Sequence, residues 1–195
     1  MNESPSTLRV FCAVELPPGV RARAAAHIES LRGAMPDVRA SWDRAEKLHI
    51  TIKFLGQIEA TRVSSLSQAA ARAAASLKPF ILTIEGAGAF PPQGSPRVLW
   101  LGVTDSSGGL ARLQSSLEDA CAAEGFKREQ RPFHPHLTIA RLRHPQGARR
   151  LAAQHHAQGF ASDPFQVTEL IIIRSELGPH GSRYTEIARQ ELGTG

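Results

Sequence analysis

Apolar residues along the chain gather into short strand-like runs separated by stretches with helical spacing. After a polar tail over 1–7, residues 8–16 read as a strand, which Pro17-Pro18-Gly19 ends while opening a helix over 20–32. In that helix Ala24, His27, Ile28 and Leu31 form one stripe at i, i+3, i+4, i+7, so His27 reads as a packed or partly exposed helical residue. A short strand at 38–42 leads to a longer one at 48–58, an Ala-rich helix at 60–77 and a strand at 80–89. Phe90-Pro91-Pro92-Gln93-Gly94-Ser95-Pro96 is the clearest loop. Beyond it the order repeats: strand 97–103, helix 110–123, strand 137–143, helix 148–158, strand 165–176, a Gly178-Pro179-His180-Gly181 turn and a last strand at 183–190. The run Leu170-Ile171-Ile172-Ile173 reads as a strand buried on both faces.

The repetition extends to single residues. His49-Ile50-Thr51-Ile52 returns 87 positions later as His136-Leu137-Thr138-Ile139. In a strand, His and Thr at i and i+2 share one face while the apolar pair faces the core. A His-apolar-Thr-apolar word is expected about 0.07 times in a chain of this composition, so two copies favour function over chance. The pairs Pro79-Phe80 and Pro164-Phe165, and Arg9-Val10 and Arg97-Val98, recur at nearly the same offset. This reads as an internal duplication within one bilobal domain, 1–195, with units of about 8–95 and 96–191. A solenoid would need three or more repeats. The fold class expected is α+β: two pseudo-symmetric lobes, each an antiparallel sheet backed by helices, with the two words facing each other across a central cleft. Two imidazoles and two hydroxyls around one cleft suit acid–base chemistry on an anionic ester without a metal.

The 195 residues, 42% of them apolar and 21% charged, suffice for a sizeable core. A net charge of +5 points to an anionic partner, with nucleic acid the leading choice. Runs such as Arg141-Leu142-Arg143 and Arg149-Arg150 also read as solvated faces. Cys12, in an apolar strand, and Cys121, in a helix, read as buried free thiols. With no signal-like apolar core at the start and no apolar run near 18 residues, the expectation is a soluble, cytoplasmic protein with no membrane contact, acting as a monomer. His134-Pro135-His136 lacks a further ligand at a supporting spacing, so no metal is assigned. His144, His155, His156 and His180 read as surface residues. Among the aromatic residues, Phe11 and Trp42 fit the core better, while Phe133 and Tyr184 are the candidates for contact with a base or ribose.

The words together with their flanks carry a family resemblance. Lys47-Leu48-His49-Ile50-Thr51-Ile52-Lys53-Phe54-Leu55-Gly56 and Phe133-His134-Pro135-His136-Leu137-Thr138-Ile139-Ala140-Arg141 resemble the 2H phosphoesterase superfamily. Arg9-Val10-Phe11-Cys12-Ala13-Val14-Glu15-Leu16-Pro17 and Ser175-Glu176-Leu177 extend that likeness, and the chain is most similar to the RNA 2′,3′-cyclic phosphodiesterases, also called 2′-5′ RNA ligase-like proteins. The resemblance implies hydrolysis of an RNA terminal 2′,3′-cyclic phosphate to a 2′-phosphomonoester, with no cofactor. It also implies that some members join or reverse 2′-5′ linkages in tRNA halves. It makes His49 the proton donor and His136 the proton acceptor, an order the residues alone leave open. Thr51 and Thr138 would hold the phosphate. Arg141 is a phosphate ligand by precedent, yet at i+5 from His136 it falls on the far face of an unbroken strand. Lys53, at i+4 from His49, shares the catalytic face or stands at the exposed sheet edge. Two other readings remain: the same site acting on a smaller substrate, such as a cyclic nucleotide or cyclic phosphorylated ADP-ribose, or a non-catalytic module that grips RNA ends.

Overall fold

The computed structural model describes residues 6–178 and 181–193, so the turn residue His180 lies outside the described residues. Among the described residues, the chain forms nine strands and four α-helices. The strands are β1 (Thr7–Glu15), β2 (Ser41–Trp42), β3 (His49–Glu59), β4 (Phe80–Phe90), β5 (Val98–Thr104), β6 (His136–Arg141), β7 (Phe165–Val167), β8 (Glu169–Gly178) and β9 (Gly181–Glu191). The helices are α1 (Pro18–Ala34), α2 (Val63–Ala75), α3 (Gly109–Ala123) and α4 (Ala148–Gln158). Pro18 sits in the first turn of α1, where its missing N–H costs nothing. The Asp105 carboxylate accepts the Leu110 N–H at 2.6 Å and starts α3.

The class is α+β, as the pattern of elements predicts. The two sheets expected for the lobes are the halves of one curled antiparallel sheet, in the order β7-β4-β5-β6-β3-β1-β8-β9. The halves meet where β3 pairs β6 through Ile50 and Leu137. Past that pair, β2 takes the edge of β6, with Ser41 against Arg141 and Trp42 against Ala140. Each half borrows a strand from the other repeat unit: β4 pairs β5, and β8 pairs β1. The run expected as one strand over 165–176 breaks at Thr168, because its two parts serve opposite edges of the sheet: β7 pairs β4 and β8 pairs β1.

The main core fills the space between the sheet and the helices, and Ile50, Ile52, Leu137 and Ile139 all contribute to it. A smaller cluster on the other face joins Phe11, Ala13, Ile171 and Ile173 to Tyr184. The buried run 170–173 thus splits by parity, with Leu170 and Ile172 in the main core and Ile171 and Ile173 in the smaller cluster. Cys12 and Cys121 are free and buried, and burial raises both thiols, Cys121 to about 11.

Two histidines lie in the interior, one of them against expectation. His155, read as a surface residue, is fully buried, and His27 is 6% exposed. They form a chain of neutral donors: Gln158 Nε2 donates to His27 Nδ1 (3.2 Å), His27 Nε2–H donates to His155 Nδ1 (2.9 Å), and His155 Nε2–H donates to the Trp100 carbonyl (2.9 Å). The carbonyl at the end only accepts, so it fixes both tautomers. Burial, and then the neighbouring imidazole, lowers His27 to about 4, while burial also lowers His155.

A base whose folded pKa lies below its unfolded value near 6.5 binds its proton more readily once the chain unfolds. This contribution is therefore complete above pH 6.5 and is lost as pH falls toward 4, by roughly 1–3 kcal/mol. Urea midpoints should drop across that window in the wild type and drop less in His27→Gln/His155→Gln. Equal slopes for the two proteins would rule out the buried pair as the source.

Candidate active site

The Ile50–Leu137 pair sets the geometry of the site. An antiparallel register through it places His49 across from Thr138 and Thr51 across from His136. The words therefore do not face each other from separate surfaces, as the sequence leads one to expect. They lie side by side on adjacent strands of one sheet, so the four side chains mark a square with the imidazoles on one diagonal and the hydroxyls on the other. The apolar members Ile50, Ile52, Leu137 and Ile139 are buried on the helix side, which turns all four polar members toward the cleft.

Both imidazoles are held in the same way. His49 Nδ1–H donates to the Lys47 carbonyl at 2.7 Å, and His136 Nδ1–H donates to the His134 carbonyl at 2.7 Å. Because a carbonyl only accepts, the proton stays on Nδ1, and Nε2 of each ring is the atom presented to the cleft. His49 Nε2 lies 3.0 Å from Thr51 Oγ1. His134 thus contributes its backbone, and among the described residues no group of three or more His, Cys, Asp or Glu side chains is placed to hold a metal ion.

A β-bulge follows each word at the same place. The pairing of β1 with β3 passes from Ala13–Thr51 to Cys12–Lys53, leaving Ile52 as the extra residue. The pairing of β5 with β6 passes from Trp100–Thr138 to Leu99–Ala140, leaving Ile139 as the extra residue. Each bulge reverses the parity of the strand beyond it. Lys53 is thereby turned into the core, where its Nζ meets Glu118 Oε2 at 2.7 Å and the Lys127 carbonyl at 3.0 Å. It therefore takes neither of the two positions expected for it. The same reversal brings Arg141 onto the cleft face, resolving the i+5 objection. Arg141 donates to Asp43 Oδ2 at 2.9 Å, and Asp43 is held there by its own N–H on the Ile139 carbonyl at 2.9 Å. Phe54, at the matching position after the first word, is 48% exposed beneath the Arg9 guanidinium, 4.8 Å from its ring centroid.

Aromatic rings flank both histidines. Phe11 stacks on His49 at 4.7 Å, and Tyr184 meets that imidazole edge-on at 5.5 Å. Phe90 meets His136 edge-on at 5.2 Å and leans on Trp100 at 5.3 Å. Gly88 makes this possible, because a Cβ there would lie 2.3 Å from the Trp100 ring. Of the two aromatic candidates, Tyr184 is at the site, whereas Phe133 packs against the main core. Phe11, Asp43, Phe90 and Trp100 were not anticipated. Trp100 aligns with Ala13 across the duplication, so the register of the repeat was a usable signal for it, while nothing in the sequence marks Asp43. His144 and His156 are exposed, as expected.

Burial lowers His49 below the usual imidazole range, and Arg141 and His136 add to this. The Lys47 carbonyl and Asp43 oppose it. Burial raises the Tyr184 phenol, with Asp43 adding to the shift.

This chain and its fold have known counterparts. Residues 19–179 match the model of the 2′-5′ RNA ligase superfamily, and the chain belongs to that family. Among its relatives is the RNA 2′,3′-cyclic phosphodiesterase of Methanothermobacter thermautotrophicus, 32% identical over 92% of this chain and 96% of that protein. Among solved structures, a protein of Thermus thermophilus superposes with a TM-score of 0.79 at 28% identity, covering 95% of this chain and 98% of that one. Escherichia coli LigT complexed with 3′-AMP superposes with a TM-score of 0.71 at 28% identity, covering 96% and 99%.

The charges around His49 predict opposite responses to two substitutions. In the free protein its imidazole should titrate below 6.5, Asp43→Asn should lower the midpoint further, and Arg141→Gln should raise it. The His49 Cε1–H resonance followed by NMR across pH reads all three. Shifts of the same sign in both variants would contradict this electrostatic assignment.

Proposed function

We propose that the chain is a metal-independent RNA 2′,3′-cyclic phosphodiesterase, releasing a 2′-phosphomonoester. The observation that carries this reading is the diagonal pair of imidazoles, each with Nδ1–H fixed on a carbonyl and Nε2 turned to the cleft, where that of His49 meets the Thr51 hydroxyl at 3.0 Å. Phosphorus centred on the square would have an imidazole on each side along the line of attack and a hydroxyl on each side across it.

His136, neutral, takes a proton from water as the water oxygen bonds to phosphorus. The bond from phosphorus to the 3′-oxygen breaks, and His49, charged, gives its proton to that oxygen. Exchange of both protons with solvent resets the pair. Thr51 and Thr138 donate to the non-bridging oxygens, and Arg141 offsets the charge that builds on them. A 5′-hydroxyl in place of water would give a 2′-5′ linkage by the same steps. The negative charge of a bound cyclic phosphate favours the charged form of His49 and opposes the burial that lowers it. The substrate named for the relatives favours an RNA end over a smaller cyclic ester or a purely binding role.

With EDTA present, His49→Ala and His136→Ala should each lower kcat by ~10²–10⁴-fold on an oligonucleotide ending in 2′,3′-cyclic phosphate, with the fold retained by circular dichroism. Near-native turnover by either variant would refute the two-imidazole mechanism. Turnover that is lost to the chelator and restored by one divalent ion would refute its metal independence.

The product reports which oxygen leaves. Phosphorus NMR should show the phosphate on the 2′-oxygen, and a predominant 3′-phosphate would reverse the orientation proposed for His49 and His136.

A further inference from the structure

A single terminal phosphate in the cleft would leave most of the net charge of +5 without a role. Beyond the rim at Arg141, two adjoining cavities of about 680 and 610 Å³ share Val38. They run from the end of α1, past Trp42, to the start of α4. Arg39, Arg143 and Arg149 line them, are exposed, and have no carboxylate partner among the described residues. Two further arginines there are neutralised, Arg32 by Glu29 at 2.8 Å and Arg150 by Asp37 at 2.7 Å. Trp42 packs one side against the main core and lines the groove with the half-exposed remainder of its ring.

The groove adjoins the site at β2, where Ser41, one of its lining residues, pairs with Arg141. Trp42 immediately precedes Asp43, which holds Arg141, and Arg143 lies two residues beyond Arg141. The other rim, near His134, offers less free charge, because Arg128 and Arg131 are each paired at 2.8 Å, with Asp119 and Glu129. Unpaired guanidinium groups beside an aromatic wall match what a single-stranded RNA presents, a phosphate at every step and a base face between.

We infer that the groove holds the RNA strand on the 5′ side of the reacting end, with Arg39, Arg143 and Arg149 on its phosphates and Trp42 against a base. This rests on reading the cleft as the site for an RNA end. It makes the protein an enzyme of oligonucleotide ends, with affinity supplied by nucleotides remote from the chemistry.

The test compares a nucleoside 2′,3′-cyclic phosphate with a short oligoribonucleotide ending in the same group, using Arg39→Glu/Arg143→Glu/Arg149→Glu. At low salt the variant should lose about tenfold or more in kcat/KM on the oligoribonucleotide, through KM. It should also show a shallower dependence on salt, by roughly 0.7 in log–log slope per lost phosphate contact. Turnover of the nucleoside substrate should stay within about twofold of wild type. Equal losses on both substrates, or no loss on either, would overturn the proposal. If wild type turns over neither substrate, the reading of the cleft fails. Fluorescence anisotropy of a labelled oligoribonucleotide then decides the groove by itself, with weakened binding in the variant supporting it and unchanged binding overturning it.

Discussion

One antiparallel contact, Ile50 against Leu137, organises the whole site. It is the place where the two halves of the sheet join, and it lies at the centre of both polar words. Because antiparallel strands run in opposite senses, identical words in register must present unlike residues to each other, His to Thr and Thr to His. The alternation of imidazole and hydroxyl around the square is therefore built into the pairing of the two words. Neither copy holds it alone. The strand exchange through β4 and β8 ties the halves together and keeps that contact in register.

The paired bulges are the second constraint. A bulge after each word reverses the parity of both strands, so the same distortion yields different outcomes set by the side chains that follow. In the first copy a lysine is turned inward and needs Glu118, because a charge this well buried is tolerated only when paired. In the second copy Ala140 goes inward and Arg141 is released to the cleft. The duplication thus keeps a common backbone while dividing the work, with an exposed aromatic ring at Phe54 and a cation at Arg141.

Local electrostatics fit a site that meets an anion. His49 is desolvated by the ring of Phe11 and the pocket around Tyr184, yet it retains Asp43 and the Lys47 carbonyl as counterweights. Burial sets its proton affinity low, and these two groups limit the shift. Exposed cations without a carboxylate partner among the described residues, Arg39, Arg143 and Arg149, continue along the surface beyond the paired Arg141 and extend the positive field from the site.

The sequence by itself determined most of the element order and the α+β class, and it singled out the two His-x-Thr words, because period-two alternation and a word repeat are local and survive without any contact being known. His49, Thr51, His136 and Thr138 were legible for that reason, and Tyr184 followed from its setting. The tertiary structure alone decided how the copies meet, and with it the diagonal arrangement. It also decided the fates of Lys53 and Arg141, since a bulge is specified by the partner strand and leaves no mark in a count of residues. His155 was misjudged as a surface residue because a polar side chain in a short helix reads as exposed until the acceptor that buries it, a carbonyl 55 positions away, is in place. Asp43, Phe11, Phe90 and Trp100 joined the site through contacts between strands distant in sequence, where pairing across the sheet supplied what no local pattern encodes.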